Sequence, residues 1–135
     1  MIHVEVSGAA VRSFSRRDIA AFARKVLRIA DRARHMRDVS VVLVEDRVMR
    51  TLNRTFRRKN KTTDVLTFAD RASCEIVIST DQARRQAGDE NHSLATELRY
   101  LLLHGLLHGL GYDHETDRGE MNALEMRVRS RVGLE

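Results

Sequence analysis

The 135-residue sequence contains no proline and no tryptophan, and it has only one cysteine. The lone Cys74 excludes an internal disulfide, so we expect a protein of the reducing cytoplasm. No apolar run reaches the length of a membrane span, because charged residues and histidines interrupt the most apolar stretch, residues 94–110. The N-terminus lacks the basic-then-apolar layout of a signal peptide. These absences predict a cytoplasmic protein that has no membrane partner.

The composition is that of an ordinary globular protein. Hydrophobic residues make up 42% of the sequence and charged residues 32%. No internal repeat, low-complexity tract or linker divides the chain. The length suffices for one modest core, so residues 1–135 are predicted to form a single domain.

Positive charge is concentrated in the first half of the chain. Residues 1–61 carry a net charge of +10, whereas residues 62–135 carry −5. From Arg47 to Lys61 there are seven positive side chains and no negative one. Most of the positive residues are arginines, whose planar guanidinium suits phosphate oxygens. The segment favours a polyanionic partner, most simply nucleic acid, and a solvated basic surface without a partner is the alternative.

Apolar periodicity predicts nine elements in the order β-α-β-α-β-β-α-α-α. We therefore expect an α+β fold with a mixed, roughly four-stranded sheet covered by helices, whose last two strands form an antiparallel hairpin. The predicted strands are 2–6, 39–44, 65–68 and 74–79, and the helices begin near residue 16, after residue 46, and span 80–87, 93–109 and 116–132.

Three of these elements carry specific expectations. Ser15 is predicted to cap the first helix, and the continuous β-branched strand 39–44 is predicted to be buried on both faces. Asp46 is predicted to cap the second helix, whose inward residues would be Val48, Met49, Leu52 and Phe56. The helix over 93–109 is apolar around most of its circumference, so we expect it to be the buried central helix.

The most informative motif lies at the end of that central helix. His104 and His108 are four residues apart, which places both imidazoles on one helix face. Gly109 and Gly111 then break the helix, so the chain can turn back and bring His114 to the pair. Three histidines that converge on one point predict a metal site, most simply Zn²⁺ with an open fourth position, although nickel, cobalt and copper also accept imidazoles. An open position indicates catalysis, because the metal activates a bound water.

The residue after the first histidine separates two kinds of zinc hydrolase. Zinc peptidases with the HExxH signature carry their general base, a glutamate, at this position. Here the position is Gly105. The general base is therefore open between a metal-bound hydroxide and Asp113, for which a structural role in the turn is the stronger interpretation. Cys74 lies in an apolar, strand-like run and is interpreted as a core residue. Tyr112 is interpreted as packing at the turn, although an aromatic side chain next to the site could also stack on a base.

Several motifs together resemble those of the YbeY family of bacterial metal-dependent endoribonucleases, which act as rRNA-maturation factors. The histidine motif matches the family signature HGxLHxxGYDH. Residues 52–59 match LNxxYRxK, residues 63–68 match TDVLSF, and residues 74–79 lie where the family has a GDI-type strand. The resemblance runs from about Val39 to the C-terminus. Thr62 and Ala69 replace common prolines, and Gly109 replaces a common leucine, but no departure removes a metal ligand.

The resemblance implies one zinc ion held by His104, His108 and His114, and an RNA-facing arginine at Arg57. A guanidinium near the metal could grip the scissile phosphate and offset charge in the transition state. Arg57 could also be one more exposed arginine in a basic run. The remaining basic residues of the segment are interpreted as RNA backbone contacts, which raise the salt dependence of binding: Arg54, Arg58, Lys59 and Lys61.

The leading hypothesis is a zinc-dependent endoribonuclease that cleaves single-stranded RNA. By resemblance, its task is 16S rRNA maturation and ribosome quality control, and its partners are the small ribosomal subunit, a small-subunit ribosomal protein and an Era-type GTPase. One alternative is a zinc-dependent peptidase. Another is a non-enzymatic ribosome-assembly factor that contains a structural metal, although three histidines without a fourth protein ligand are atypical of a closed structural site.

Overall fold

The computed structural model describes residues 2–113 and 115–134. Within these residues, four strands form one sheet in the order β1-β2-β4-β3. Strands β1, β2 and β4 are parallel, and β3 runs antiparallel to β4. The strands are β1 His3–Gly8, β2 Asp38–Val44, β3 Val65–Asp70 and β4 Ser73–Ser79; the helices are α1 Arg16–Ala30, α2 Asp46–Arg57, α3 Thr80–Asp89, α4 Leu94–Gly109 and α5 Glu120–Val132.

The predicted α+β class, the element order and the mixed four-stranded sheet are confirmed. The antiparallel hairpin of β3 and β4 is also confirmed. No helix in the described part of the chain is both long enough and apolar enough to cross a membrane. Ser15 caps α1 as predicted, because its side chain accepts a hydrogen bond from the Asp18 N–H at 3.1 Å.

Helices cover the two sheet faces unequally. The larger apolar cluster joins α1, α4 and α5 to one face, where Val39, Val41 and Leu43 of β2 are buried. A smaller cluster lies under α2 on the other face, where Met49 packs with Leu66 and Val77. Because one short helix covers this second face, the alternate residues of β2 are only half-buried. The predicted burial of β2 on both faces is thus complete on one face and partial on the other.

Helix α4 is the central helix, as predicted, and it lies close to the sheet at two glycines. A Cβ added to Gly105 would lie 2.8 Å from Ile76 Cγ2, and one added to Gly109 would lie 2.9 Å from Cys74 Sγ. Cys74 is buried in this contact, and burial raises the pKa of its thiol to about 11. The small residues let α4 pack closely on β3 and β4, and Cys74 is a core residue, as predicted.

Three expectations about α2 are wrong. Asp46 is not the cap of α2; the helix begins at Asp46 after Glu45, whose side chain forms no capping hydrogen bond. Val48 and Phe56 do not face inward and are 40% and 60% exposed, because α2 buries a narrow stripe centred on Met49. The buried position one turn from Met49 is taken by Asn53.

The last helix begins later than predicted. Helix α5 starts at Glu120, whereas the apolar pattern predicts a start at Thr116. Residues before Glu120 form a tight turn, in which the Asp117 carboxylate accepts hydrogen bonds from the backbone N–H groups of Gly119 and Met121 at 2.8 and 2.9 Å. Gly119 has φ +103°, which ends any helical path at this point.

Candidate metal centre and nucleic-acid interface

His104 and His108 lie one turn apart at the end of α4 and face one another. Their Nε2 atoms are 3.0 Å apart, and their ring centroids are 4.6 Å apart with an interplanar angle of 83°. The neighbouring leucines are fully buried, namely Leu103, Leu106 and Leu107, so both rings project from a packed helix. The sequence spacing therefore brings these two predicted ligands together.

The partners of the two Nδ1 atoms determine what each Nε2 atom can do. His108 Nδ1 lies 2.9 Å from the Tyr112 carbonyl oxygen, and His104 Nδ1 lies 3.3 Å from Glu125 Oε1. Both oxygens only accept hydrogen bonds, so both Nδ1 atoms donate. In a neutral ring the lone pair is then on Nε2. At this separation the two Nε2 atoms can share a proton in a hydrogen bond, and two neutral rings could instead bind one cation together.

The spacing of the two nitrogens fits a metal ion. Two nitrogens on one tetrahedral zinc ion, each about 2.0–2.1 Å from it, lie about 3.3 Å apart. The observed 3.0 Å is close to this separation. The donor set therefore fits the predicted metal, and each ligand has the hydrogen-bonded Nδ1 that is typical of metal-bound histidines.

The predicted third ligand, His114, lies outside the described residues. Across residues 2–113 and 115–134, no group of three histidine, cysteine or acidic side chains has a metal-binding arrangement. Assignment of His114 as the third ligand therefore stays a prediction. The turn before it begins as predicted, since Gly111 has φ +100° and donates to the His108 carbonyl oxygen at 2.9 Å.

A cavity of about 530 Å³ opens beside the histidine pair. His104 and His108 form part of one wall, and the predicted phosphate-binding Arg57 lies among the lining residues. Strand β3, at the edge of the sheet, also lines the cavity. The hydroxyl of its Thr67 donates to the Gly105 carbonyl oxygen of α4 at 3.2 Å. The other lining residues are Asn53, Lys59, Lys61, Thr63, Asp64, Val65, Leu66, Thr67, Ala69, Gly111, Tyr112, Asp113 and Glu115.

The basic residues divide into two groups by their place relative to this cavity. Arg57, Lys59 and Lys61 line it, and all three are exposed. Arg54 and Arg58 are exposed as well but are not among its lining residues. The structure therefore brings three of the five predicted RNA-facing residues to the histidine pair and leaves two outside.

Buried Asn53 fixes the backbone of this basic segment. Its side-chain Nδ2 donates to the Lys61 carbonyl oxygen at 2.9 Å. Its backbone carbonyl oxygen accepts from the Lys59 N–H at 3.3 Å. Arg58 ends α2 in the left-handed conformation with φ 56°, so the chain reverses toward the cavity. Hydrophobic periodicity does not identify Asn53, because the pattern assigns buried helix positions to apolar side chains.

The Asp46 carboxylate connects the start of α2 to three other parts of the chain. Its carboxylate accepts hydrogen bonds from Ser79 at 2.7 Å, from Thr62 at 3.1 Å and from Arg85. Burial alone would raise the pKa of Asp46, but these hydrogen bonds and the Arg85 charge bring that pKa below its ordinary value of 3.8. The stabilisation is complete above the ordinary pKa and is lost as the pH falls through the lowered one.

Acidic residues near the histidines have structural partners. Asp113 Oδ1 accepts a hydrogen bond from the Glu115 N–H at 3.0 Å, and its carbonyl oxygen accepts from Thr116 and Asp117. Asp113 is therefore a turn residue, as predicted, although it lines the cavity. Tyr112 packs against the core at the same turn.

Glu125 was missed by the sequence reasoning. It reaches from α5 to His104, and its other carboxylate oxygen forms an ion pair with Arg129 at 3.1 Å. Only the packing of α5 against α4 brings Glu125 to the site, and no local motif marks it.

Comparison with known proteins agrees with this geometry. The sequence model of the family described as Endoribonuclease YbeY matches residues 6–133. The chain belongs to the YbeY endoribonuclease family. The predicted family and enzyme class, a nuclease among the hydrolases, are thereby confirmed.

Individual members show how much of the chain is shared. The YbeY endoribonuclease of Nautilia profundicola is 46% identical over 103 residues, which are 73% of this chain and 74% of the relative. That of Solibacter usitatus is 41% identical over 119 residues, covering 86% and 78%. The solution structure of TM1509 from Thermotoga maritima is similar with a TM-score of 0.66 at 27% identity, over 96% of this chain and 89% of that one.

Proposed function

We propose that this protein is a zinc-dependent endoribonuclease that hydrolyses single-stranded RNA in the maturation of small-subunit rRNA. One observation carries the proposal. Two histidine Nε2 atoms lie 3.0 Å apart in a cavity that Arg57, Lys59 and Lys61 also line. Two histidines that could bind a metal and three cationic side chains that could bind phosphate thus line one cavity, an arrangement that would suit metal-assisted phosphodiester hydrolysis.

His104, His108 and His114 would hold the zinc ion. A bound zinc ion polarises a phosphoryl oxygen and lowers the pKa of water to about 7. Glu125 and the Tyr112 carbonyl oxygen contact Nδ1 of His104 and His108, which would leave each Nε2 available to hold the metal. Neutral histidine is required for this role, and both hydrogen bonds select the tautomer that supplies it.

Arg57 would bind the scissile phosphate. Its guanidinium can donate two parallel hydrogen bonds to a phosphate and offset the charge that grows on the oxygens in the transition state. Lys59 and Lys61 line the same cavity and would contact neighbouring phosphates, which fixes the RNA backbone without selecting a sequence.

Gly105 argues against the peptidase alternative. It faces the sheet, and even a methyl group there would lie 2.8 Å from Ile76 Cγ2. A glutamate at this position would have to enter the core instead of the cavity. The helix therefore has no room for the base that the HExxH peptidases use.

Replacement of His108 by alanine tests the metal mechanism. Cleavage of an unstructured oligoribonucleotide should fall by a factor of about 100 or more, since a metal ion supplies several kcal/mol of charge stabilisation. His3→Ala is the matched control, because the His3 side chain is 69% exposed on β1 and outside the lining of the cavity. Equal cleavage by wild-type and His108→Ala proteins of equal thermal stability would contradict the proposal. Identical purification of all three proteins controls for contaminating nuclease.

The rRNA task has its own test in cells. In a strain whose only copy carries His108→Ala, we expect 16S rRNA with unprocessed ends to accumulate, with the His3→Ala strain as control. Mature ends in the His108→Ala strain would contradict the rRNA role and leave RNA cleavage itself untouched. The same proposal includes a cytoplasmic location. It also includes three partners: the small ribosomal subunit, a small-subunit ribosomal protein and an Era-type GTPase.

A further inference from the structure

Phe56 is a large apolar residue that lies on the surface instead of in the core. It lies in the last turn of α2 and is 60% exposed. Among the residues that the structure describes, it is the one aromatic side chain in the exposed class. An exposed phenylalanine forgoes the favourable free energy of burial, so its position calls for a physical explanation.

The Phe56 ring contacts another aromatic ring, which limits the orientations it can adopt. It packs edge-to-face on Phe68 of β3, with ring centroids 5.2 Å apart and an interplanar angle of 70°. Phe68 in turn packs against the buried cluster of Met49, Leu66 and Val77. Phe56 therefore contacts a buried cluster through Phe68 while it stays largely exposed.

Phe56 is joined to the cavity through its neighbour on α2. Arg57, the next residue along the chain, lines the cavity, whereas Phe56 and Phe68 are not among its lining residues. Fifteen residues from Arg47 to Lys61 contain no acidic side chain. An anionic chain that leaves the cavity past Arg57 would thus reach Phe56 on the basic segment, although exposed Glu75 lies opposite Phe68 in the sheet.

We propose that Phe56 is a stacking platform for a nucleobase that flanks the scissile phosphate. The inference rests on the proposed function, since it takes RNA cleavage at the histidine pair as given. Stacking suits every base, because each base has a π-face, so the platform would add affinity without strong sequence preference. The seven positive side chains of residues 47–61 complement a nucleic acid and not an apolar protein partner.

The first test is binding of a fluorescently labelled, unstructured oligoribonucleotide by anisotropy at several salt concentrations. Phe56→Ala should weaken binding by a factor of about 5 to 150, the equivalent of one lost stack. The slope of log affinity against log salt should not change, because no charge is removed. Lys59→Ala should instead reduce that slope by about 0.7. Denaturing gels confirm that the RNA stays intact.

Two further variants separate stacking from simple apolar contact. Phe56→Trp should bind at least as well as wild type, whereas Phe56→Leu should bind almost as weakly as Phe56→Ala. Val48→Ala removes another exposed apolar residue of the same helix, 40% exposed, and should leave binding unchanged. Thermal stability measured for each variant shows that the fold is intact.

An oligoribonucleotide series with one abasic position gives the decisive readout. Wild-type protein should lose affinity at one position of the series, and Phe56→Ala should lose no more at that position, because the two changes remove the same contact. Equal binding by Phe56→Ala and wild type, or full binding by Phe56→Leu, would overturn the platform while RNA cleavage stands. Absence of RNA binding by the wild-type protein would instead overturn the proposed function and the platform with it.

Discussion

The two walls of the cavity are built in opposite ways. The histidine wall is the end of α4, whose leucines are fully buried and whose ring orientations are fixed by the Tyr112 carbonyl oxygen and by Glu125. The basic wall is the end of α2 and the segment after it. There the backbone is fixed by Asn53, while the side chains of Arg57, Lys59 and Lys61 are exposed.

This difference matches two different tasks. A metal site requires its ligands within about 0.5 Å of the correct geometry, so the ligands belong on a packed helix with supporting hydrogen bonds. Phosphate binding by long cationic side chains tolerates variation in the path of the RNA, and it positions without specifying sequence. We therefore infer that the histidine wall supplies the metal chemistry and that the basic wall holds the substrate, with Arg57 as its one side chain that also acts in the transition state.

The largest effect on the basic wall is expected at Arg57. Arg57→Ala should reduce the cleavage rate by a factor of about 100 to 1,000, the usual cost of one lost transition-state donor. Arg54→Ala removes the same charge from the same helix outside the cavity lining and should reduce it by much less. Single-turnover cleavage assays measure both. Similar losses in the two variants would mean that Arg57 is one basic residue among several.

A smaller effect is expected on the histidine wall at Glu125. Glu125→Gln keeps the size of the side chain but weakens the acceptor for His104 Nδ1, and should lower zinc affinity by a factor of about 10 to 100. Competition with a chromophoric chelator measures this affinity. Glu90→Gln, in the exposed residue that ends α3, is the control. Unchanged zinc affinity in Glu125→Gln would show that the ring needs no support from α5.

The smallest effect concerns the close packing under the histidine wall. Gly105→Ala places a methyl group 2.8 Å from Ile76 Cγ2 and should cost about 1–3 kcal/mol of unfolding free energy through overpacking. Gly88→Ala makes the same change in α3 with no atom within 4 Å, and should be neutral or stabilising by up to about 1 kcal/mol. Urea denaturation measures both. Equal effects would remove the packing argument against a glutamate at position 105.

The histidine wall could be predicted from the sequence more fully than the basic wall. A helix that is apolar all round can only be central, and histidines four apart on it must share a face, so local periodicity is enough. On α2, two apolar stripes compete, and periodicity cannot tell which one the sheet covers. Met49 was placed correctly, and Val48 and Phe56 were not.

The remaining differences depend on contacts between distant parts of the chain. Aspartate is a residue type that often caps helices, but the Asp46 carboxylate instead accepts hydrogen bonds from Ser79, Thr62 and Arg85. Glu125 meets His104 across 21 residues of sequence. No local pattern contains such pairs, since the packing of whole elements creates them.

The central claim is that the histidine pair holds the metal on which cleavage depends. Elemental analysis of the purified protein, with cleavage assayed on the same samples, tests it most directly. We predict about one zinc ion per chain in the wild-type and His3→Ala proteins, and loss of both zinc and cleavage in His104→Ala, as expected for a three-histidine site. A folded His104→Ala protein that retains its metal, or that cleaves RNA at the wild-type rate without metal, would contradict the account.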